Sequence, residues 1–215
     1  MGCKLLGTIS AYLVQIGLGF IAILSLAIKF KCEKEKRIFK VWILDVSKQI
    51  IGSFFAHFLN MLFAYILTDT NNSNDQCVMY MENYLVDSIF GLALNCLCLW
   101  ILQKIVSRYN IHYLEMGKYI PDEEFKSWSF QVCAWILIII LVKFFLFAII
   151  VYPMRNLLNI AGLWMLGPIL GHEIAELIIV MILIPLICNV IQFLMQDIFL
   201  KYTSPADTTC YITMD

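Results

Sequence analysis

Between Val41 and Asn60 the chain reads VWILDVSKQIIGSFFAHFLN, apolar enough to enter a bilayer yet carrying Asp45, Ser47, Lys48, Gln49, Ser53, His57 and Asn60. At 100° per residue, Asp45, Lys48, Gln49, Gly52, Ser53, Ala56, His57 and Asn60 share one broad face of a helix. Ile43, Leu44, Ile50, Phe54, Phe58 and Met61 occupy the opposite face, suited to lipid or to apolar helix contacts. A charge in hydrocarbon costs roughly 2.5–3.5 kcal/mol on insertion scales, so the polar stripe must face protein or water. Two readings of it follow. Intramembrane ionisable groups suit a proton or ion relay. Alternatively, Asp45 and Lys48, at i and i+3, neutralise each other while the small residues admit a neighbouring helix.

Further polar residues interrupt later apolar runs. Asp87, Gly91 and Asn95 recur at i, i+4 and i+8 between 83 and 105, and Lys143 is the one charge between 128 and 151. Asn189, Gln192 and Gln196 share a face with Pro185 between 177 and 200, where the proline frees the carbonyl of Met181. Counting 1.5 Å per helical residue, Asp87 and Lys143 lie at matching depths and are expected to pair. His57 and Asn60 come slightly deeper. Asp45, Lys48 and Gln49 come level with Gln192 and Gln196 towards the other side.

Catalytic patterns are missing from these stretches. There is no GxSxG serine motif and no pair of intramembrane aspartates, and His172-Glu173 lacks the second histidine of HExxH. The acidic trio Asp122, Glu123 and Glu124 reads as the first turn of a helix, not as a cation loop. No catalytic residue, metal or cofactor is expected. The eight cysteines form no CxxC pair and read as small buried hydrophobes.

With 61% hydrophobic and 14% charged residues, the 215-residue chain reads as one all-α polytopic membrane bundle. Spans are expected at about 5–28, 41–67, 83–105, 128–151 and 177–200, followed by a short polar tail, 202–215. Pro153 to Gly171 is apolar but rich in glycine and proline, and reads as an interfacial or re-entrant segment; four spans plus such a segment is the competing count. Trp42, Trp100, Trp128 and Trp135 are expected near helix ends, in interfacial belts.

Charge sets the orientation. Eleven of the fifteen basic residues fall on one side of this plan and two on the other, which predicts a lumenal N-terminus and a cytosolic C-terminus. Lys31, Lys34, Lys36, Arg37 and Lys40 concentrate in the first cytosolic loop, where they report topology or attract anionic lipid. Cys32 beside them is a palmitoylation candidate. The loop 68–81 has no Lys or Arg and holds the sequon Asn71-Asn72-Ser73, so Asn71 is a glycosylation candidate on the lumenal side. A net charge of −1 offers nothing to nucleic acid.

Trp42, Leu44-Asp45, Ser47-Lys48-Gln49, Gly52, His57 and Asn60 resemble the signature of the STIMATE family, which comprises animal regulators of store-operated calcium entry and fungal vacuolar membrane proteins. Ile184-Pro185, Asn189 and Asp197 resemble that family's last membrane helix. The resemblance implies a non-catalytic regulator in the endoplasmic reticulum or vacuolar membrane, contacting a membrane calcium sensor. The short tail departs from the animal members, whose cytosolic tails are long and charged. A small proton- or ion-coupled transporter using His57, Asp87 and Lys143 is the competing function, although five spans do not divide into an inverted repeat.

Overall fold

The computed structural model describes residues 9–32, 38–69, 76–168 and 178–200, together with His172 and Ala175. The chain is an all-α membrane bundle. In hydrocarbon every backbone N–H and C=O must be satisfied within its own segment, and these long apolar runs do so by coiling. The elements are α1 (Ile9–Cys32), α2 (Phe39–Asp69), α3 (Gln76–Val86), α4 (Leu92–Tyr109), α5 (Glu124–Leu146), α6 (Arg155–Leu166) and α7 (Ile184–Leu200). A π-helical turn at Asp87–Gly91 joins α3 to α4, another at Phe147–Val151 extends α5, and a third at Ile179–Leu183 leads into α7. Among the described residues, three helices are long and apolar enough to cross a membrane: Tyr80–Tyr109, Glu124–Val151 and Ile179–Leu200. α2, with 31 residues, is about 46 Å long at 1.5 Å per residue, well beyond a ~30 Å hydrocarbon core.

The π turn before α7 has a visible cause. Pro185 can donate no backbone hydrogen bond and its ring crowds the preceding turn, and the wider π turn absorbs the mismatch. α3 begins earlier than the sequence suggests. Gln76 to Met81, expected in a loop, are helical because Val78, Tyr80 and Met81 bury themselves against Leu166, Val180 and Met181. α6, at 12 residues, is about 18 Å long and too short to span. It lays Gly162 and Leu166 on the bundle and leaves Leu157, Ile160 and Trp164 outward.

α1 packs chiefly on α7, and α3 on α2 and α6. The closest partnership joins α2 to α5. These two run parallel and in register: Lys48 meets Gln131 and Asn60 meets Lys143, both at a separation of 83 residues. Between those points Gly52 lies against Trp135, and Ala56 joins the cluster around Trp135 and Ile139. Trp135 is therefore not an interfacial tryptophan as expected. It is 1% exposed, because a glycine on the facing helix leaves room for its ring. The cysteines divide as well: Cys96, Cys98 and Cys188 are half-buried, whereas Cys32 and Cys133 are exposed. A thiol is apolar enough that Cys133 sits on the outer face of α5 without penalty.

A Cβ at Gly52 would stand 2.4 Å from Trp135 Nε1, whereas one at Gly17 would meet nothing within 4 Å. Gly52→Ala is therefore expected to destabilise the bundle by about 1–3 kcal/mol through overpacking. Gly17→Ala should be neutral or gain a fraction of the ~1 kcal/mol helix preference of alanine. Thermal unfolding in detergent checks both. Equal melting temperatures for the two variants would contradict the close α2–α5 approach.

Candidate functional site

The polar residues form two clusters, about 18 Å apart along α2 by helical rise. In the first, Asp45, Lys48, Gln49 and Gln131 are all fully buried. Lys48 Nζ lies 2.8 Å from Asp45 Oδ1 and donates to Gln131 Oε1 at 2.8 Å. Tyr119 Oη donates to the same Asp45 oxygen at 2.8 Å, and its ring lies 5.2 Å from the ammonium. The Gln131 amide nitrogen donates to the carbonyls of Glu115 and Lys118, both at 2.9 Å, while its oxygen also accepts from Gly117 N–H at 3.3 Å.

The α4–α5 connection is thereby fastened over the end of α2. Its backbone follows from its residues. Asn110 (φ 53°) ends α4 in the left-handed region, Gly117 (φ 74°) supplies the turn that faces Gln131, and the Asp122 backbone reverses the chain before α5. Of the acidic trio, Glu124 opens α5 and pairs with Lys40, and Glu123 accepts from the Tyr113 hydroxyl. That hydrogen bond, with nearby Lys126 second, holds the Glu123 carboxyl below its ordinary range. At the same end Lys29 pairs with the buried Asp197 at 2.8 Å, tying α1 to α7.

The second cluster centres on Lys143, whose Nζ lies 2.7 Å from Asp87 Oδ2 and donates to Asn60 Oδ1 at 2.8 Å. Local backbone geometry prepares both charges. Asp87 opens one π turn, and Lys143 sits a turn before another, its carbonyl accepting the Phe147 N–H. Such turns re-aim side chains and recur at functional positions. Gly91 gives Asp87 its room, since a Cβ there would come within 2.7 Å of Asp87 Oδ1. Nearby, Tyr84 Oη donates to Asn189 Oδ1 at 2.8 Å, joining α3 to α7.

A cavity of about 430 Å³ opens beside this second cluster. Asp87, Lys143 and Asn60 form one part of its wall, and His57, Asn95, Asn189, Gln192 and Gln196 add to the polar lining, with Ser53, Tyr80 and Tyr84 beside them. The structure thus gathers His57, Asn60, Asp87, Asn95, Lys143, Asn189, Gln192 and Gln196, the intramembrane polar residues expected from the sequence beyond Ser53, into one chamber. Asp45, Lys48 and Gln49 are not part of that wall. Gln192 and Gln196 line this cavity together with Asp87 and Lys143, and Phe193 between them clusters with Val46, beside Asp45 and near the depth expected of them. Gln49 is buried with neither amide atom hydrogen-bonded, and the Asn95 oxygen and Trp135 Nε1 likewise lack partners. Of the basic segment, Lys31 ends α1 and Lys40 pairs with Glu124, whereas Lys34, Lys36 and Arg37 lie outside the described residues, as does Asn71.

Gln131, Tyr119, Tyr84 and Glu82 were not picked out from the sequence. Glu82, buried, accepts the Gly162 N–H at 2.8 Å and fixes α6. A signal for Gln131 was present: the spacing Gln131 to Lys143 equals the spacing Lys48 to Asn60, which parallel helices in register require.

A family model described as the STIMATE family matches residues 77–202, more than half of the chain. The chain belongs to the STIMATE family. The matched region contains Asp87, Asn95, Lys143 and the Asn189–Gln196 face, and leaves out the Val41–Asn60 stretch on which the resemblance was first drawn. A vacuolar membrane protein of Saccharomyces cerevisiae is 39% identical over 97 residues, 40% of this chain and 35% of the yeast protein. The chain therefore matches only about a third of that relative's length. No solved structure matches.

Because Lys143 is 3% exposed and held by Asp87, removing the anion alone strands a charge in the bundle. Asp87→Leu is expected to cost about 3–5 kcal/mol, and adding Lys143→Met should restore most of that loss. Unfolding of detergent-solubilised variants measures the cycle. Strictly additive losses would show that the two residues do not act as a pair.

Proposed function

We propose that this protein is a non-catalytic, multi-pass regulator of an endoplasmic reticulum or vacuolar membrane, acting through its cytosolic face on a membrane calcium sensor that controls store-operated calcium entry. Its α1 and α2 also cross the membrane, giving five spans with the C-terminus cytosolic. Membership of the STIMATE family and the vacuolar membrane relative support a membrane role of this kind. One physical observation carries the choice of a regulator over a conductor. The lining of the cavity beside His57 takes in neither Lys48 nor Asp45, and where it runs along α2 and α5 it reaches Ile50, Gly52 and Ile139, next to which Trp135 closes on α2. A relay across the membrane needs a continuous polar or watered route between the two charge clusters. Here each cluster is neutralised within itself, and a tryptophan stands between them.

On this reading the recognition surface is the segment containing Lys31, Lys34, Lys36, Arg37 and Lys40, which suits an acidic partner helix or anionic lipid. The folded α4–α5 connection lies beside it, linked through the Lys40–Glu124 ion pair. One observation favours a second reading. His57, Asp87 and Lys143 share one chamber, as a proton- or ion-coupled transporter would require.

Neutralising Lys34, Lys36 and Arg37 together is expected to lower store-dependent calcium entry in cells lacking the native protein, at unchanged membrane abundance. With abundance unchanged, a loss would reflect recognition and not failed folding. In parallel, purified protein in vesicles should pass no more protons or calcium than empty vesicles. A flux that His57→Gln abolishes, with entry insensitive to the basic substitutions, would replace this reading with conduction.

A further inference from the structure

The chamber between α1, α2 and α7 is larger than its neighbouring charge pair requires. Its volume, about 430 Å³, falls within the range of roughly 300–1,000 Å³ typical of small-molecule sites. Its polar wall is underused. Among the described residues, neither His57 nor Gln192 hydrogen-bonds to a protein group, and both line the chamber. Unpaired imidazole and amide groups inside a bundle are costly unless a ligand or water meets them.

The chamber also has a side entrance. Near their connection α1 and α2 meet through the stacked rings of Phe30 and Trp42, 5.0 Å apart. Farther along, the two helices hardly touch, and α1 leans on α7 instead. There Ile16, Ile50 and Phe54 line the chamber and are themselves exposed, Ile16 at 70% and Phe54 at 69%. In a membrane bundle such apolar outer residues face lipid. The opening therefore leads sideways into the bilayer, with an apolar rim and a polar floor.

Charge narrows the occupant. Asp87 and Lys143 already satisfy each other, with Asn60 as a further acceptor for the ammonium. A phosphate entering here would find no uncommitted cation among the described wall residues, and a free ammonium group no uncommitted anion. Amide and imidazole groups instead suit a hydroxyl, which both donates and accepts. We propose that the chamber is a lateral binding site for an uncharged, hydroxyl-bearing membrane lipid, its hydroxyl among His57, Asn189 and Gln192 and its apolar body across Ile50 and Phe54. A sterol and a diacylglycerol share this chemistry. The site goes beyond the regulatory reading and does not depend on it.

Gly19 provides the test. It lines the chamber, and a Cβ there would meet nothing within 4 Å, so a larger side chain can start into the space without a clash at its first atom. Gly17 has the same freedom but lies outside the lining, and serves as control. The full chain would be reconstituted in phosphatidylcholine vesicles with a photoreactive sterol or a photoreactive diacylglycerol. Parallel arms would carry photoreactive phosphatidic acid and photoreactive phosphatidylcholine. One uncharged probe should label α1, α2 or α7 and be displaced by its unlabelled counterpart; which one does so identifies the source of the hydroxyl. Gly19→Phe should lower that labelling about tenfold, the loss of a well-filled site, while Gly17→Phe leaves it unchanged. Gln192→Leu, which breaks no protein hydrogen bond among the described residues, gives an independent reading should the glycine variant fail to fold, and should also lower labelling. Labelling that survives both Gly19→Phe and Gln192→Leu would overturn the site, as would preference for phosphatidic acid or labelling no greater than phosphatidylcholine achieves.

Discussion

The parallel seam between α2 and α5 is the constraint on which the rest of the bundle depends. Every fourth residue of α2 from Lys48 to Asn60 answers a residue 83 positions later on α5. At the two ends the match is polar, Lys48 with Gln131 and Asn60 with Lys143. In the middle it is steric, Gly52 against Trp135. Lipid offers helices no hydrophobic reason to associate, so close packing of small residues and hydrogen bonds must supply it. The steric middle fixes how near the helices come, and the polar ends fix the register. A shift of one residue along either helix would unpair both lysines, each almost sealed from the surroundings. Breaking a buried pair is far more costly than never having buried it, so the two clusters act as locks on that register.

Each lock also recruits a further element. Asp87 brings in the α3–α4 helix through a π turn, and Asp45 with Gln131 brings in the α4–α5 connection through Tyr119 and three backbone groups. Lys29 and Asp197 do the same for α1 and α7, with the carboxylate fully buried. Such placement accounts for charged residues in apolar helices without invoking transport. It also explains why the middle of the bundle keeps unpartnered polar atoms on Gln49 and Trp135: the register that satisfies the lysines leaves these groups facing apolar neighbours.

Much of this was legible in the chain. Helical periodicity found the stripe from Asp45 to Asn60 and set Ile43, Ile50, Phe54 and Phe58 on the outer face, where each is exposed. Depth counting placed Asp87 opposite Lys143. It also set Gln192 and Gln196 level with Lys48, and Phe193 between them clusters with Val46 at that depth, while both glutamines line the chamber. Trp135, however, was misread. Composition marks tryptophan as interfacial, and only the glycine on a different helix, 83 residues earlier, shows that a ring can be accommodated in the core. Partners such as Tyr119 and the carbonyls of Glu115 and Lys118 belong to a connection whose path no periodicity describes.

The same seam divides the interior into unlike compartments. On the Lys48 side the connection Asn110–Glu123 closes over the charges, and Gln131 spends all its hydrogen-bonding capacity on that closure. Among the described residues no connection does this on the Lys143 side, and the space between α2 and α7 is a chamber whose far wall is α1. Towards α2, α1 is held near one end by Phe30 on Trp42, while it stays packed along α7, where Lys29 pairs with Asp197. A boundary with few contacts is the part of a bundle whose opening costs least. A ligand arriving from the side therefore meets its first resistance between α1 and α2 and not at the α2–α5 seam.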